Sequence, residues 1–248
     1  ASLGKPLIAL HLDGRPISSD AADQCCAAIL ECWSPAEAGA QAICDVLLGD
    51  YNPGGKLPVS VAHNAGQVPV YYSHPWGSGW HQSESIGFTD YVDCPHRPRY
   101  PFGFGLSYTS FAYADLEISR KEVPAGESVE IAFTVENTGP VPGDEVAQLY
   151  ISDVYASMTR PVKELAGFAR VHLKPGEKKR LAFTLHTSQL AFLDQDMKWK
   201  IEHGQILVEA AASSEDVRLS GSFRIDGDMW IAGKSREFWA GTSAVSKR

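Results

Sequence analysis

From residue 128 onward, apolar and polar positions alternate in short runs: SVEIAFTVEN (128–137), EVAQLYIS (145–152), KRLAFTLH (179–186), QILVEAAA (205–212) and VRLSGSFRI (217–225). Alternation of period two is the mark of strands with one face buried and one exposed. The runs are punctuated by turn-forming clusters, PAGE, TGPVPG, KPGE and EHG, which supply the φ values that tight turns demand. About seven short strands at such spacing predict an antiparallel β-sandwich of roughly 115 residues. The tail from Asp226 shows no such alternation and reads as no sandwich strand; its Trp230, Phe238 and Trp239 suggest packing back onto something.

The first hundred residues have a different pattern. LIALHL (7–12) is a continuous apolar run of the kind buried on both faces, closed by the turn DGRP. Between Ala22 and Trp33 the apolar positions fit either one helical stripe or a short helix feeding a buried strand, and the second reading is preferred. In SPAE, Ser34 stands as N-cap, Pro35 as first helical residue and Glu37 as the third member of a capping box. The helix that follows carries Ile43, Val46 and Leu47 on one face and stops at Gly49, and DYNPGGKLPVSV turns into another strand. About three strands and two helices are too few to close an open α/β sheet, which has about five or six strands. This section therefore reads as the tail of a larger α/β domain. The predicted class is α/β plus all-β, a partial open sheet followed by an immunoglobulin-like sandwich.

Between the two lies YPFGFGLSYTSF (100–111), too aromatic for a tether and too glycine-rich for a helix or central strand. It reads as a rigid seam between domains.

Composition narrows the function. A formal net charge of -8, with Lys and Arg scattered, offers no basic field for phosphates, so nucleic acid is a poor partner. No apolar run approaches the roughly 18 residues that span a bilayer, and the N-terminal stretch lacks signal-peptide features. The cysteines 25, 26, 32, 44 and 94 form no CxxC pair; they read as reduced, buried packing residues, which favours a reducing, cytoplasmic compartment. The histidines form no HxH or HExxH motif, so no metal site is expected.

Five segments, in order, resemble the C-terminal part of glycoside hydrolase family 3, the β-glucosidase and β-xylosidase family: GRPI (14–17), AAILECWSPAEAGAQAICDVLLGDYNPGGKLPVSV (27–61), RYPFGFGLSYTSF (99–111), VENTGPVPGDEVAQLYISD (135–153) and RPVKELAGFARVHLKPGE (160–177). The resemblance implies that 1–98 is the latter part of the family's α/β sandwich domain, 99–111 the aromatic junction, 112–226 a fibronectin type III-like domain and 227–248 a C-terminal tail. It implies a retaining exo-β-glycosidase acting on β-linked glucosides or oligosaccharides without a cofactor. Its nucleophile Asp lies in an N-terminal (β/α)8 barrel and its acid/base Glu on a loop before the GRP strand, so no catalytic residue is expected here. A homodimer is left open. Where the family has PGxEGG, this chain has Ala36, Ala38, Gly39 and Ala40.

The stretch most suggestive of function is VYYSHPWGSGWHQSESIGFTDYVD (70–93), long for an ordinary connection. By the resemblance it faces the barrel, and Trp76, Trp80 and His81 would line the aglycone end of the cleft; the plainer reading is that its aromatics only cover the sheet end and the barrel's contact surface. His81 and Glu84 are spaced to meet on a turn, but spacing on a loop fixes no geometry. Asp144 and Glu145 read as turn and strand-start residues, with an interdomain hydrogen bond as their functional option. The competing view of the whole is a stand-alone carbohydrate-binding or interaction module.

Overall fold

A computed structural model describes residues 2, 4–75 and 94–247. The first section holds β1 (Ile8–His11), α1 (Asp20–Cys25), β2 (Ala28–Glu31) and α2 (Gly39–Leu48). β1 and β2 pair in parallel, Ile8 opposite Ala28 through His11 opposite Glu31. A short helix followed by a strand is thus what Ala22–Trp33 forms. Ser19, not foreseen as a cap, accepts a hydrogen bond from the Ala22 amide at the start of α1.

Four expectations for this section need correction. LIALHL is not covered on both faces: Ile8, Leu10 and Leu12 are exposed, because they share one face of the strand and pairing with β2 covers an edge of β1, not that face. The capping box does not form. α2 starts at Gly39, with Ala38 at its cap and no side-chain bond, because a turn bonding the Gly39 amide to the Ala36 carbonyl packs Pro35 against Gly39. LPVSV builds no strand; Val61 makes only an isolated bridge with Tyr100. The cysteines are unbridged, but none is buried, and Cys25 and Cys44 are exposed. α2 does end as expected, at Gly49 with φ 85°, where the left-handed conformation suits glycine.

The second section comprises β3 (Phe111–Ile118), β4 (Glu122–Pro124), β5 (Ser128–Asn137), β6 (Gly143–Asp153), β7 (Glu164–Leu173), β8 (Lys178–His186), β9 (Phe192–Leu193), β10 (Trp199–Ile201), β11 (Gly204–Ala211), β12 (Val217–Asp226), β13 (Met229–Ile231) and β14 (Gly241–Lys247). One sheet has the order β4-β12-β11-β6-β7, the facing sheet β14-β8-β5-β3, and β13-β10-β9 form a small third sheet. All pairs are antiparallel except β4 with β12. Alternate residues fill the space between the sheets: Val129, Ile131, Phe133 and Val135 from β5, Leu181, Phe183 and Leu185 from β8, Leu149 and Ile151 from β6, Ile206 and Val208 from β11. Phe133 stacks on Phe183 at 5.6 Å and on Tyr113 at 5.8 Å. Each fully buried side chain of this size contributes roughly 1.5–3 kcal/mol.

The tail also departs from expectation. Its last strand, β14, pairs with β8 from Gly241 opposite Thr184 to Lys247 opposite Lys178 and so becomes an edge of the four-stranded sheet. Its sequence, GTSAVSK, carried no apolar alternation to announce it. Trp239 meets Phe168 edge-on and Arg236 lies over Trp199 and Phe238, yet Trp230, Phe238 and Trp239 remain exposed.

Residues 100–111 join the sections as a bonded seam. Phe102 stacks on Tyr72 at 4.4 Å and Tyr100 on Phe104 at 5.5 Å. The Ser214 amide donates to the Phe102 carbonyl, and Gln148 Nε2 donates to Gly103 O. Gly103 has φ 79° and lies flush against the Gln148 carboxamide. Gly103→Ala is therefore expected to destabilise the chain by about 1–3 kcal/mol through strain and clash, read as a lower urea midpoint at unchanged slope.

Candidate functional site

The turn Asn52–Lys56 sets how the first section meets the sandwich. Asn52 donates through Nδ2 to the Pro142 carbonyl (2.9 Å) and accepts at Oδ1 from the Tyr108 amide (2.8 Å) and the Ser107 hydroxyl (3.0 Å). Lys56 Nζ lies 3.4 Å from Glu145 Oε2, both side chains largely buried, and donates to Gly105 O. Tyr113 donates its hydroxyl to the other Glu145 oxygen at 2.8 Å; burial, then the Glu145 charge, pushes the Tyr113 hydroxyl well above its ordinary value. Asp144 pairs with Arg170 and His172, and Arg170 reaches Tyr51. A Cβ on Gly54 would come within 2.8 Å of Asp144 Cβ, so glycine here permits close approach. Glu145 thus makes the interdomain contact that its position in the sequence left open.

Beside this seam a cleft of about 200 Å³ opens between the sections, with Tyr71, Tyr72, His74 and Arg97 on one side and Lys163 and Glu215 on the other. Tyr72 is fixed by Phe102, by Tyr150 edge-on at 5.8 Å and by accepting the Leu165 amide. Tyr71 is exposed. Lys163 bonds Glu209 at 2.6 Å and the Ser214 carbonyl at 3.1 Å. Burial pushes the Glu215 carboxyl up, opposed by Arg97 and Lys163. Among the described lining residues Glu215 is the one carboxylate, whereas a retaining glycosidase needs two about 5–5.5 Å apart. An exposed ring beside paired charges suits binding rather than bond cleavage.

The predicted site residues Trp76, Trp80 and His81, and with them Glu84, lie outside the described residues. The residues flanking them are anchored at this cleft. Before them, Pro75 bridges Pro161 and the His74 carbonyl accepts from the Val162 amide. After them, the buried Gln67 carboxamide donates to the Pro95 (2.8 Å) and Arg97 (2.7 Å) carbonyls, and Arg99 pairs with Asp20 and Asp23. Glu37, read from the sequence as a capping-box residue, is exposed on its turn.

Two groups of interest went unread in the sequence. His11, Asp13 and Glu31 bring ligating atoms within 4.8 Å of one another at the carboxyl ends of β1 and β2; they come from two strands, so no local spacing reveals them. Asp153, buried at the end of β6, has its carboxyl pushed up to about 6 by desolvation, with Arg160 opposing and Glu202 adding. A raised carboxyl invites comparison with a glycosidase acid, but Asp153 does not line the cleft, and burial accounts for the shift.

The comparisons with known proteins agree with this arrangement. Residues 1–108 match the glycosyl hydrolase family 3 C-terminal domain, and 145–214 match the fibronectin type III-like domain. The chain belongs to glycoside hydrolase family 3. It is 43% identical over 224 residues to a periplasmic beta-glucosidase of Salmonella typhimurium, covering 90% of this chain and 29% of that protein. It is 41% identical to a beta-xylosidase of Formosa agariphila, covering 86% of this chain and 29% of that one. A solved beta-glucosidase from Listeria innocua in complex with glucose superposes with a TM-score of 0.83 at 35% identity, over 91% of this chain and 32% of that one. The family 3 chain thus spans about three-tenths of the length of these relatives.

The raised Asp153 carboxyl has a consequence for stability. Between its unfolded value of about 3.9 and about 6, the folded chain binds more protons than the unfolded one, so this group's contribution to stability falls as pH rises through that window and is flat above it. Relative to wild type, Asp153→Asn should gain melting temperature steadily from about pH 4 to about pH 6 and no further; a pH-independent difference between the two would contradict the assignment.

Proposed function

We propose that this chain is the C-terminal part of a retaining, exo-acting β-glycosidase, a β-glucosidase or β-xylosidase, that removes sugars from the non-reducing ends of β-linked glucosides and oligosaccharides. The observation that carries the reading is the family 3 C-terminal match followed by the fibronectin type III-like match, in one chain and in that order, with relatives named for both activities. The described cleft, with its single carboxylate, supports a division of labour. The nucleophile and acid/base belong to other polypeptide of the same enzyme, a (β/α)8 barrel and a loop of the α/β domain ahead of the GRP strand and outside these 248 residues, while this chain braces and partly lines the substrate cleft. Within it, 1–98 completes the α/β domain, 99–111 is the junction, 112–226 is the fibronectin type III-like unit and 227–248 the tail.

In this reading Trp76, Trp80 and His81 contact the aglycone side of the substrate. The anchoring of residues 74, 75 and 95–97 beside the Tyr71 cleft favours that role. Purified residues 1–248 should leave nitrophenyl β-glucoside intact while the full-length protein cleaves it. In the full-length protein, Trp76→Ala or Trp80→Ala should raise KM for a disaccharide about tenfold, roughly 1.4 kcal/mol, with kcat nearly unchanged. Turnover by the 248-residue chain alone, lost on Glu84→Gln, would defeat the proposal.

A further inference from the structure

We propose that His11, Asp13 and Glu31 form a binding site for one divalent transition-metal cation, zinc being the type case. His11 and Glu31 are the last residues of β1 and β2 and are register partners across the parallel pair. The ladder continues beyond them, the Cys32 amide bonding the His11 carbonyl at 2.9 Å and the Asp13 amide the Trp33 carbonyl at 3.0 Å. Alternation along an extended strand puts residues 11 and 13 on one face, and the donor atoms of all three side chains lie within 4.8 Å of one another.

Three observations point to a cation among them. Both Asp13 carboxylate oxygens are shut off from solvent and have no hydrogen-bond partner among the described residues; a buried unpaired carboxylate is costly and calls for a counter-charge. His11 Nδ1 and Glu31 Oε2 are 3.4 Å apart, longer than the roughly 2.7–2.9 Å of a charge-assisted hydrogen bond. That separation is close to the edge of a tetrahedron built on metal–ligand bonds of about 2.0–2.2 Å. Finally, two carboxylates and a neutral imidazole carry a formal charge of two minus, and the His11–Glu31 contact is the one ion pair to either carboxylate among the described residues.

The ligand set selects the ion. One imidazole nitrogen with carboxylate oxygens favours zinc and its first-row neighbours over magnesium or calcium, which prefer all-oxygen shells. The Trp33 amide donates to Glu31 Oε1 at 3.3 Å, the kind of outer bond that orients a ligating carboxylate. Three protein ligands leave a fourth position for water or for a group from elsewhere in the enzyme.

The test uses the natural full-length protein, stripped with a chelator, titrated with zinc chloride against a chromophoric chelator, and assayed for metal by mass spectrometry after gel filtration. One equivalent of zinc should be retained, and its addition should raise the melting temperature. His11→Ala and Asp13→Asn should each weaken binding by about 100-fold or more, while Glu37→Gln, on an exposed turn, should leave it unchanged. The wild-type stoichiometry decides even if a variant misfolds. Failure to retain zinc, wild-type zinc affinity in both variants, or a full-length structure with an Arg or Lys side chain between the three donors would each overturn the site. None of these readouts depends on glycosidase activity, so the site stands or falls apart from the proposed hydrolysis.

Discussion

The ion pair of Lys56 with Glu145 is the contact on which the arrangement of the two sections depends. Each side chain is largely withdrawn from water, with 3.4 Å between the charged atoms. Removing one partner of such a pair strands the other, at a cost of about 3–5 kcal/mol. The pair is also not isolated. Lys56 donates a second bond to the Gly105 carbonyl, Glu145 accepts a second from the Tyr113 hydroxyl, and Asn52 ties the same turn to Pro142 and Tyr108. The absence of a Cβ at Gly54, against Asp144, and at Gly105, against the Gly55 carbonyl, is what lets the backbone come close enough for these bonds to form.

From that seam the rest of the candidate site follows. Once the turn 52–56 is locked to β6, the junction 100–105 is held between them, and Tyr72 can stack on Phe102 against Tyr150. The cleft is the space left between two surfaces joined along one edge. Its polar groups are engaged with one another, Lys163 with Glu209 and Ser214 above all, so it is a preorganised surface rather than a reactive one. This agrees with the proposal that the bond-breaking acids reside in other polypeptide.

The first section shows the opposite condition. β1 and the residue after it present exposed Ile8, Leu10 and Leu12, and at the carboxyl ends of β1 and β2 stand the Asp13 oxygens, without a hydrogen-bond partner among the described residues. An open parallel sheet places its ligands at the carboxyl ends of its strands, and here that position combines apolar surface with concentrated charge. Both features are what a surface shaped for contact with further structure or with an ion would show, and they distinguish this section from the closed core of the sandwich.

The sequence by itself determined the sandwich, because a strand with one buried face must alternate, and β5, β6, β8, β11 and β12 lie within a residue or two of the alternating runs. It also determined the end of α2 at Gly49 and, through five ordered motifs, the family. It did not determine β14, whose sequence GTSAVSK has no apolar alternation and which is held by its pairing with β8. Nor did it determine the start of α2, where Pro35 packing on Gly39 prevailed over capping chemistry. The burial of LIALHL was misread because an apolar run records which surfaces a strand is suited to cover, not whether a neighbour is there. The His11, Asp13 and Glu31 group and the cleft were decided only in three dimensions: each joins residues far apart in the chain, and their proximity comes from strand register and from the domain seam, neither of which local pattern encodes.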